Sequence, residues 1–269
     1  MPARLDQIVA AARKRCAGTK ASADVRQLER DAETHAPRRF RAALETAGRT
    51  GIAVIAELKK ASPSRGVIRS DFDAGKLAEE LERGGAAALS VLTDEEFFQG
   101  SLDNLRRASA SSMLPCLRKD FLVDEFQLLE ARAHRADAVL LIVAALLPAE
   151  LELLTRRARE FDLDVLCEVH DEQELLRASD VGCDLIGVNS RDLRTFQVDL
   201  GTAFRLAEMV PKHVLPVAES GLHSGLDIAR LRSVGYQAFL IGESLMKAKS
   251  PGDALRALIA EAGSEKAVS

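Results

Sequence analysis

At 269 residues the chain is nearly long enough for two domains of about 150 residues, yet one α/β barrel also fills about 250. A composition that is 47% hydrophobic and 29% charged excludes global disorder. With 37 Lys and Arg against 41 Asp and Glu, one Tyr and no Trp, the chain lacks the basic field and stacking rings of a nucleic-acid binder, and the charge to coat an anionic membrane.

The N-terminal stretch MPARLDQIVAAARKR has no apolar signal core, so no secretion is expected. The apolar run from Ala138 to Leu147 closes at Pro148, well short of the roughly 20 residues a bilayer span needs. Cys16, Cys116, Cys167 and Cys183 form no CxxC pair, and three of the four sit in apolar runs as small hydrophobes. A reducing cytoplasm is the expected compartment. The five histidines, at 35, 134, 170, 213 and 223, are scattered without metal-ligand spacing. Structural or solvated roles and no metal are expected.

Residues 1–50 carry helical apolar spacing in LDQIVAA and FRAALETA and are expected to form a helical extension packed on the rest. From residue 51 onward, eight β-branched or apolar runs follow: GIAVIAE (51–57), AALSVL (87–92), MLPCLRK (113–119), AVLLIV (138–143), DVLCEV (164–169), DLIGVN (184–189), VLPVAE (214–219) and AFLIG (238–242). Their starts lie 20 to 36 residues apart, which suits one strand, loop and helix per unit. Between them, Asp171 to Glu174 and Ser224 to Asp227 have the form of capping boxes. Pro148 and Pro251 stand just inside helix starts, and Gly84-Gly85 and Gly235 follow helix ends. Leu151, Leu154, Ala158 and Phe161 share one helical face.

Continuous apolar runs such as AVLLIV mark strands buried on both faces. Eight of them predict a single closed (β/α)8 barrel over residues 51–269. An open doubly wound sheet is the alternative, but no GxGxxG or GxxxxGK[ST] stands at a first turn.

In such a barrel the active face lies where the strands end. Five runs end in or carry polar groups: Glu57 and Lys59, Lys119, Glu168, Asn189 to Arg191, and Glu219 to Gly221. One charge at a strand end is most simply a solvated lip. Five strands sharing the feature point instead to convergent acid–base groups. Strand parity turns Glu168 inward and Cys167 outward, and puts Glu57 and Lys59 on one side with Leu58 and Lys60 on the other. Ser220-Gly221 and Gly242-Glu243-Ser244, after the seventh and eighth strands, stand where these barrels often hold a phosphate.

IAELKKASPSRG (55–66), SVLTDEEFFQGS (90–101), LRKDF (117–121), CEVHDEQEL (167–175), IGVNSRDLRTF (186–196), VAESG (217–221) and FLIGESLM (239–246) resemble the indole-3-glycerol-phosphate synthase family of tryptophan biosynthesis. The resemblance spans nearly the whole chain and implies a cofactor-free carbon–carbon carboxy-lyase in its monofunctional form. The substrate it implies is the small molecule 1-(2-carboxyphenylamino)-1-deoxyribulose 5-phosphate, with no nucleic-acid or membrane partner, in a monomer or weak homo-oligomer. Carried over by motif, Lys119 is the general acid for ring closure and Glu168 the base for dehydration. Lys59 holds the substrate and assists proton transfer, and Glu57, Asn189 and Glu219 orient these groups. Ser220, Gly221 and Gly242 hold the phosphate, Phe98, Phe121 and Leu140 line the aromatic pocket, and Ser62 and Arg191 stand nearby. Glu243 stands where some members have serine, so any phosphate contact there is expected from its backbone N–H.

Rival readings are a phosphosugar isomerase such as phosphoribosylanthranilate isomerase, and a barrel that binds a phosphorylated metabolite without catalysis. The first would want cysteine at the end of the first strand, where Glu57 stands. An inert binder has no need of two lysines and three carboxylates gathered together, since unmatched buried charges are costly.

Overall fold

The computed structural model describes residues 5–192, 195 and 197–264. Residues 1–4 of the N-terminal reading, Leu193, Arg194 and Phe196 of the NSRDLRTF segment, and residues 265–269 lie outside them.

Eight parallel strands close into a barrel: β1 (Ala53–Leu58), β2 (Ala88–Leu92), β3 (Cys116–Lys119), β4 (Ala138–Ile142), β5 (Asp164–Val169), β6 (Leu185–Asn189), β7 (Leu215–Glu219) and β8 (Ala238–Ile241). Each pairs with the next in sequence, and β1 pairs with both β2 and β8, as in Ile55↔Ala88 and Ile55↔Leu240. Closure leaves no open edge among the eight and rules out the doubly wound alternative. Every strand falls on a run expected from the sequence. The fourth stops at Ile142, and Val143–Ala145 turns into a 3-10 helix.

Alternation sorts the strand residues into two cores. Val54, Ala56, Leu58, Val139, Leu141 and Cys167 face outward and pack under the helices, while Ala53, Ile55, Leu140, Leu166, Leu185 and Val217 fill the barrel interior. Both sets are buried. The covering helices begin with local caps. Asp171 accepts from the Glu174 N–H, but the Glu174 carboxylate reaches one residue past the expected box, to the His170 N–H. Ser224 and Asp227 complete theirs reciprocally. Pro148 and Pro251 open the helices Pro148–Glu160 and Pro251–Ser264, where a missing N–H costs least.

Among the described residues three helices precede the barrel: α1 (Leu5–Ser22), α2 (Val25–Glu33) and α3 (Phe40–Thr50). α3 lies against the strand starts, with Phe40 and Leu44 in the interior core and the Arg41 N–H donating to Asp164 at the head of β5. α1 reaches the opposite end. Its Arg15 Nη2 lies 2.9 Å from Asp94 and 3.4 Å from Asp120, beyond the ends of β2 and β3.

One expectation is corrected. Cys167 and Cys183, read as separate packing thiols, are joined in a disulfide, whereas Cys16 and Cys116 are free and buried. Cys167 faces outward from β5 and Cys183 stands just ahead of the neighbouring strand β6, with Cα atoms 6.5 Å apart, so the sheet itself brings them together. Among the described residues no helix is long and apolar enough to cross a membrane.

Candidate active site

Apart from the buried hydroxyl of Ser90, the interior of the barrel is apolar until its last layer. There Glu57, Lys119, Glu168 and Glu219 enter from β1, β3, β5 and β7, the alternate-strand arrangement by which such barrels stack side chains in fours. The layer is charged where the ones beneath it are aliphatic. Lys119 Nζ stands 2.6 Å from Glu168 Oε2 and 3.0 Å from Glu219 Oε2. Glu57 is bonded to Lys59, two residues on and on the same side of β1. The three carboxylates are all but fully buried.

Glycine makes the room. A Cβ on Gly187 of β6 would lie 2.0 Å from Glu219 Oε1, and one on Gly242 would lie 2.4 Å from Glu57 Oε1. Any side chain at either position would drive a carboxylate out of the layer.

Burial works against the ammonium of Lys119, but Glu168, Glu219 and Glu57 outweigh it and raise its pKa, so it stays charged. The same balance separates the two glutamates. Burial pushes Glu168 up, yet Lys119 and His170 together hold it well below the usual carboxylate range. Glu219 is raised to about 8, first by burial and then by the neighbouring charge of Glu168, against the pull of Lys119. At neutral pH the layer therefore holds a charged acid, a charged base and a protonated carboxyl side by side.

Around this layer opens a mouth that brings together every residue to which the family resemblance gives a part. It is lined by Glu57, Lys59, Lys119, Glu168, Asn189 and Glu219, by Ser62, Phe98, Phe121, Leu140 and Arg191, and by Ser220, Gly221, Gly242 and Glu243. One wall is apolar. The rings of Phe98 and Phe121 lie 6.3 Å apart, and Leu92, Ile142 and Leu240 are further apolar lining residues of the mouth. Opposite, Ser220 and Gly221 both have positive φ, at 66° and 78°. A Cβ at Gly221 would meet Val198 at 2.7 Å, so only glycine fits this turn. The Ser62 Oγ is buried with no hydrogen-bond partner among the described residues. Glu243 is turned to cations: Lys247 at 2.5 Å, Arg65 at 3.2 Å and Arg191 at 3.7 Å. Burial pushes its pKa up, but Lys247 and Arg65 win and hold it low.

A buried ionic network steadies the Lys119 strand end. Arg118 faces outward and binds Asp120 at 3.2 Å and Glu130 at 3.4 Å, while Asp120 accepts from Thr93 and from the Phe121 N–H. Among the described residues no group of three or more His, Cys, Asp or Glu side chains is placed to hold a metal ion.

Sequence reasoning missed two things here. It gave no part to α1, whose Arg15 braces Asp94 and Asp120, and it set His170 aside, although the Nε2 of His170 lies 3.5 Å from Glu168 Oε1. His170 follows Glu168 by two residues, so strand parity alone could have put both on one face.

Fold and site together define a (β/α)8-barrel enzyme of acid–base chemistry, with one lysine in a ring of carboxylates beside an apolar wall. The profile of indole-3-glycerol phosphate synthase matches residues 5–258, and the chain belongs to that family. An indole-3-glycerol phosphate synthase of Koribacter versatilis (strain Ellin345) is 56% identical over 259 residues, covering 96% of this chain and 100% of its own. One of Verminephrobacter eiseniae (strain EF01-2) is 47% identical over 263 residues, covering 95% of this chain and 98% of its own. Among solved structures, KGPDC from Streptococcus mutans superposes with a TM-score of 0.61 at 11% identity, over 78% of this chain and 97% of that one. A mandelate oxidase mutant superposes with a TM-score of 0.63 at 16% identity, over 90% of this chain and 94% of its own. These two likenesses are of fold alone.

Proposed function

We propose that this mouth closes, decarboxylates and dehydrates 1-(2-carboxyphenylamino)-1-deoxyribulose 5-phosphate to indole-3-glycerol phosphate, carbon dioxide and water, as a step of tryptophan biosynthesis. The observation that carries the reading is the Lys119 ammonium held 2.6 Å from Glu168 and 3.0 Å from Glu219 at the top of an otherwise apolar barrel.

The substrate carries a phosphate at one end and an aromatic carboxylate at the other. The benzene ring suits the wall of Phe98, Phe121 and Leu140. The phosphate suits the Ser220-Gly221 and Gly242-Glu243 turns with Ser62, the Glu243 N–H serving while its carboxylate stays on Lys247 and Arg65. Lys59 and Arg191 are cations for the anionic ends.

Attack of the ring carbon on the ketone develops charge on its oxygen. Lys119 donates a proton there and becomes an amine, a contribution typically worth about 100- to 10,000-fold. Loss of carbon dioxide then returns the electron pair to the ring. In dehydration Lys59 protonates the departing hydroxyl, which leaves as water, and regains its proton from solvent, while Glu168 removes a proton from the former ribulose methylene carbon next to the nitrogen. The proton on Glu168 can pass back to Lys119 across their 2.6 Å hydrogen bond, which resets both groups. Glu57, Asn189 and Glu219 orient the reacting groups.

The extension formed by residues 1–50 is taken to fold with the 51–269 barrel as one unit, and the enzyme to work in the cytoplasm without a cofactor. The test is direct. Purified protein given this substrate should release carbon dioxide and generate indole fluorescence, against little background because the chain has no Trp. Substrate consumed without indole or carbon dioxide would contradict the proposal.

A further inference from the structure

Glu168 has two oxygens, and only one faces Lys119. Oε2 takes the lysine at 2.6 Å, while Oε1 faces the ring of His170, with Nε2 at 3.5 Å. That Nε2 is buried and has no hydrogen-bond partner among the described residues. The other side of the ring is tied down: Nδ1 lies 3.0 Å from Glu174 Oε2, and the same oxygen accepts from the His170 backbone N–H at 2.8 Å. Glu174 is itself fixed in the first turn of the helix Glu172–Asp180, its N–H bonded to Asp171. The imidazole is thus braced from behind and presents its one free nitrogen to the base.

We infer that His170 is a positioning residue for Glu168: clamped on Glu174, it holds Oε1 so that Oε2 stays turned toward Lys119 and the substrate. The inference rests on the proposed role of Glu168 as the base.

Two further observations agree. Burial pushes the imidazole pKa down, but Glu168 and Glu174 outweigh it and raise it to about 10, so the ring is a cation at neutral pH. A cation at that place keeps Glu168 ionised and ready to accept a proton. The ring also lines a second cavity outside the mouth, with Asp171, Glu172, Gln173, Thr202, Arg205 and Leu206, so truncating it opens space that an added imidazole can enter. The charged groups around the pair are Lys119 and Glu219 on the Glu168 side, Asp171, Glu172 and Glu174 at the start of the helix Glu172–Asp180, and Arg205 from the helix Gly201–Ala207 across the cavity.

The test compares His170→Ala and His170→Gln with the wild type by kcat, KM and the pH profile of kcat. For His170→Ala, kcat should fall about tenfold with KM within twofold, and the alkaline limb that wild type shows near pH 10, where the imidazolium loses its charge, should be gone. His170→Gln, which keeps a donor without the charge, should recover part of kcat but not that limb. Millimolar imidazole should restore His170→Ala. In a Glu168→Gln background, His170→Ala should cost nothing further.

An alkaline limb unchanged in the variants would overturn the inference, as would an equal kcat loss in the Glu168→Gln background, because a role in stability alone gives both. If wild type makes product and Glu168→Gln does not, while His170→Ala behaves as wild type, this inference fails and the role of Glu168 stands. If Glu168→Gln is itself fully active, the role of Glu168 fails and this inference falls with it.

Discussion

Buried carboxylates stand at both ends of the barrel, and the two ends use them differently. At the strand starts Asp137 is fully enclosed, and every acceptor site meets a donor: the Cys116 N–H at 2.7 Å, the Arg38 N–H at 2.7 Å, the Arg38 guanidinium at 3.0 Å and His35 at 2.8 Å. Burial pushes its pKa up, yet His35 and Arg38 bring it below the usual range. At the strand ends, three carboxylates gather around Lys119 and Lys59, and atoms are left over. Glu219 Oε1 and Ser62 Oγ are buried with no hydrogen-bond partner among the described residues. Burial of charge alone therefore does not mark a site. What separates these two clusters is that Asp137 has a donor at every acceptor position, while the layer around Lys119 keeps a carboxylate oxygen without one.

The comparison can be broken at either end. The largest effect belongs to the mouth. Glu168→Gln removes the base while keeping shape, and turnover should fall by about 100- to 10,000-fold with an undehydrated intermediate accumulating in rapid-quench samples. An unchanged turnover would remove Glu168 from the chemistry.

At the other end, Asp137→Ala strands Arg38 and His35 and should cost about 3 to 5 kcal/mol of stability, read from denaturant unfolding. KM of the folded fraction should stay within twofold. The pH sign follows from the lowered pKa. The contribution of Asp137 is present above the unfolded aspartate value of about 3.9 and fades as pH falls through its lower folded value. A variant as stable as wild type at pH 7 would contradict the stapling role.

The smallest effect sharpens the contrast between the two ends. Glu219 is raised to about 8, so its contribution has the opposite sign: present below the unfolded glutamate value and lost as pH climbs toward 8. The Tm of wild type should fall relative to Glu219→Gln between about pH 5 and pH 8 and run parallel above it. Parallel curves throughout would mean that Glu219 is not held protonated.

Much of this was legible beforehand. The eight strands announced themselves as apolar runs because both their faces are buried, and the inward turn of Glu168 with the outward turn of Cys167 followed from the two-residue period. The candidate residues stood out because a charge at the end of such a run breaks its pattern. What stayed hidden depends on contacts between distant or short segments. Ala61–Ser62 and Gly66–Val67 pair into a hairpin after β1, but two-residue strands carry no alternation to detect. The Cys167–Cys183 bond depends on which strands are neighbours and on their register. Arg15 reaches Asp94 and Asp120 only because α1 crosses to the strand-end face, and no periodicity within α1 says where the helix docks. His170 was overlooked by a search for metal-like spacing, when its partner was a carboxylate two residues away.

The central claim is that Lys119, kept charged by the carboxylates around it, protonates the ketone as the ring closes. Single-turnover rapid quench with Lys119→Met, alongside equilibrium binding of the substrate, tests it most directly. Affinity should remain within about fivefold while the ring-closure rate drops by at least about 100-fold. Ring closure at the wild-type rate in that variant would contradict the claim outright.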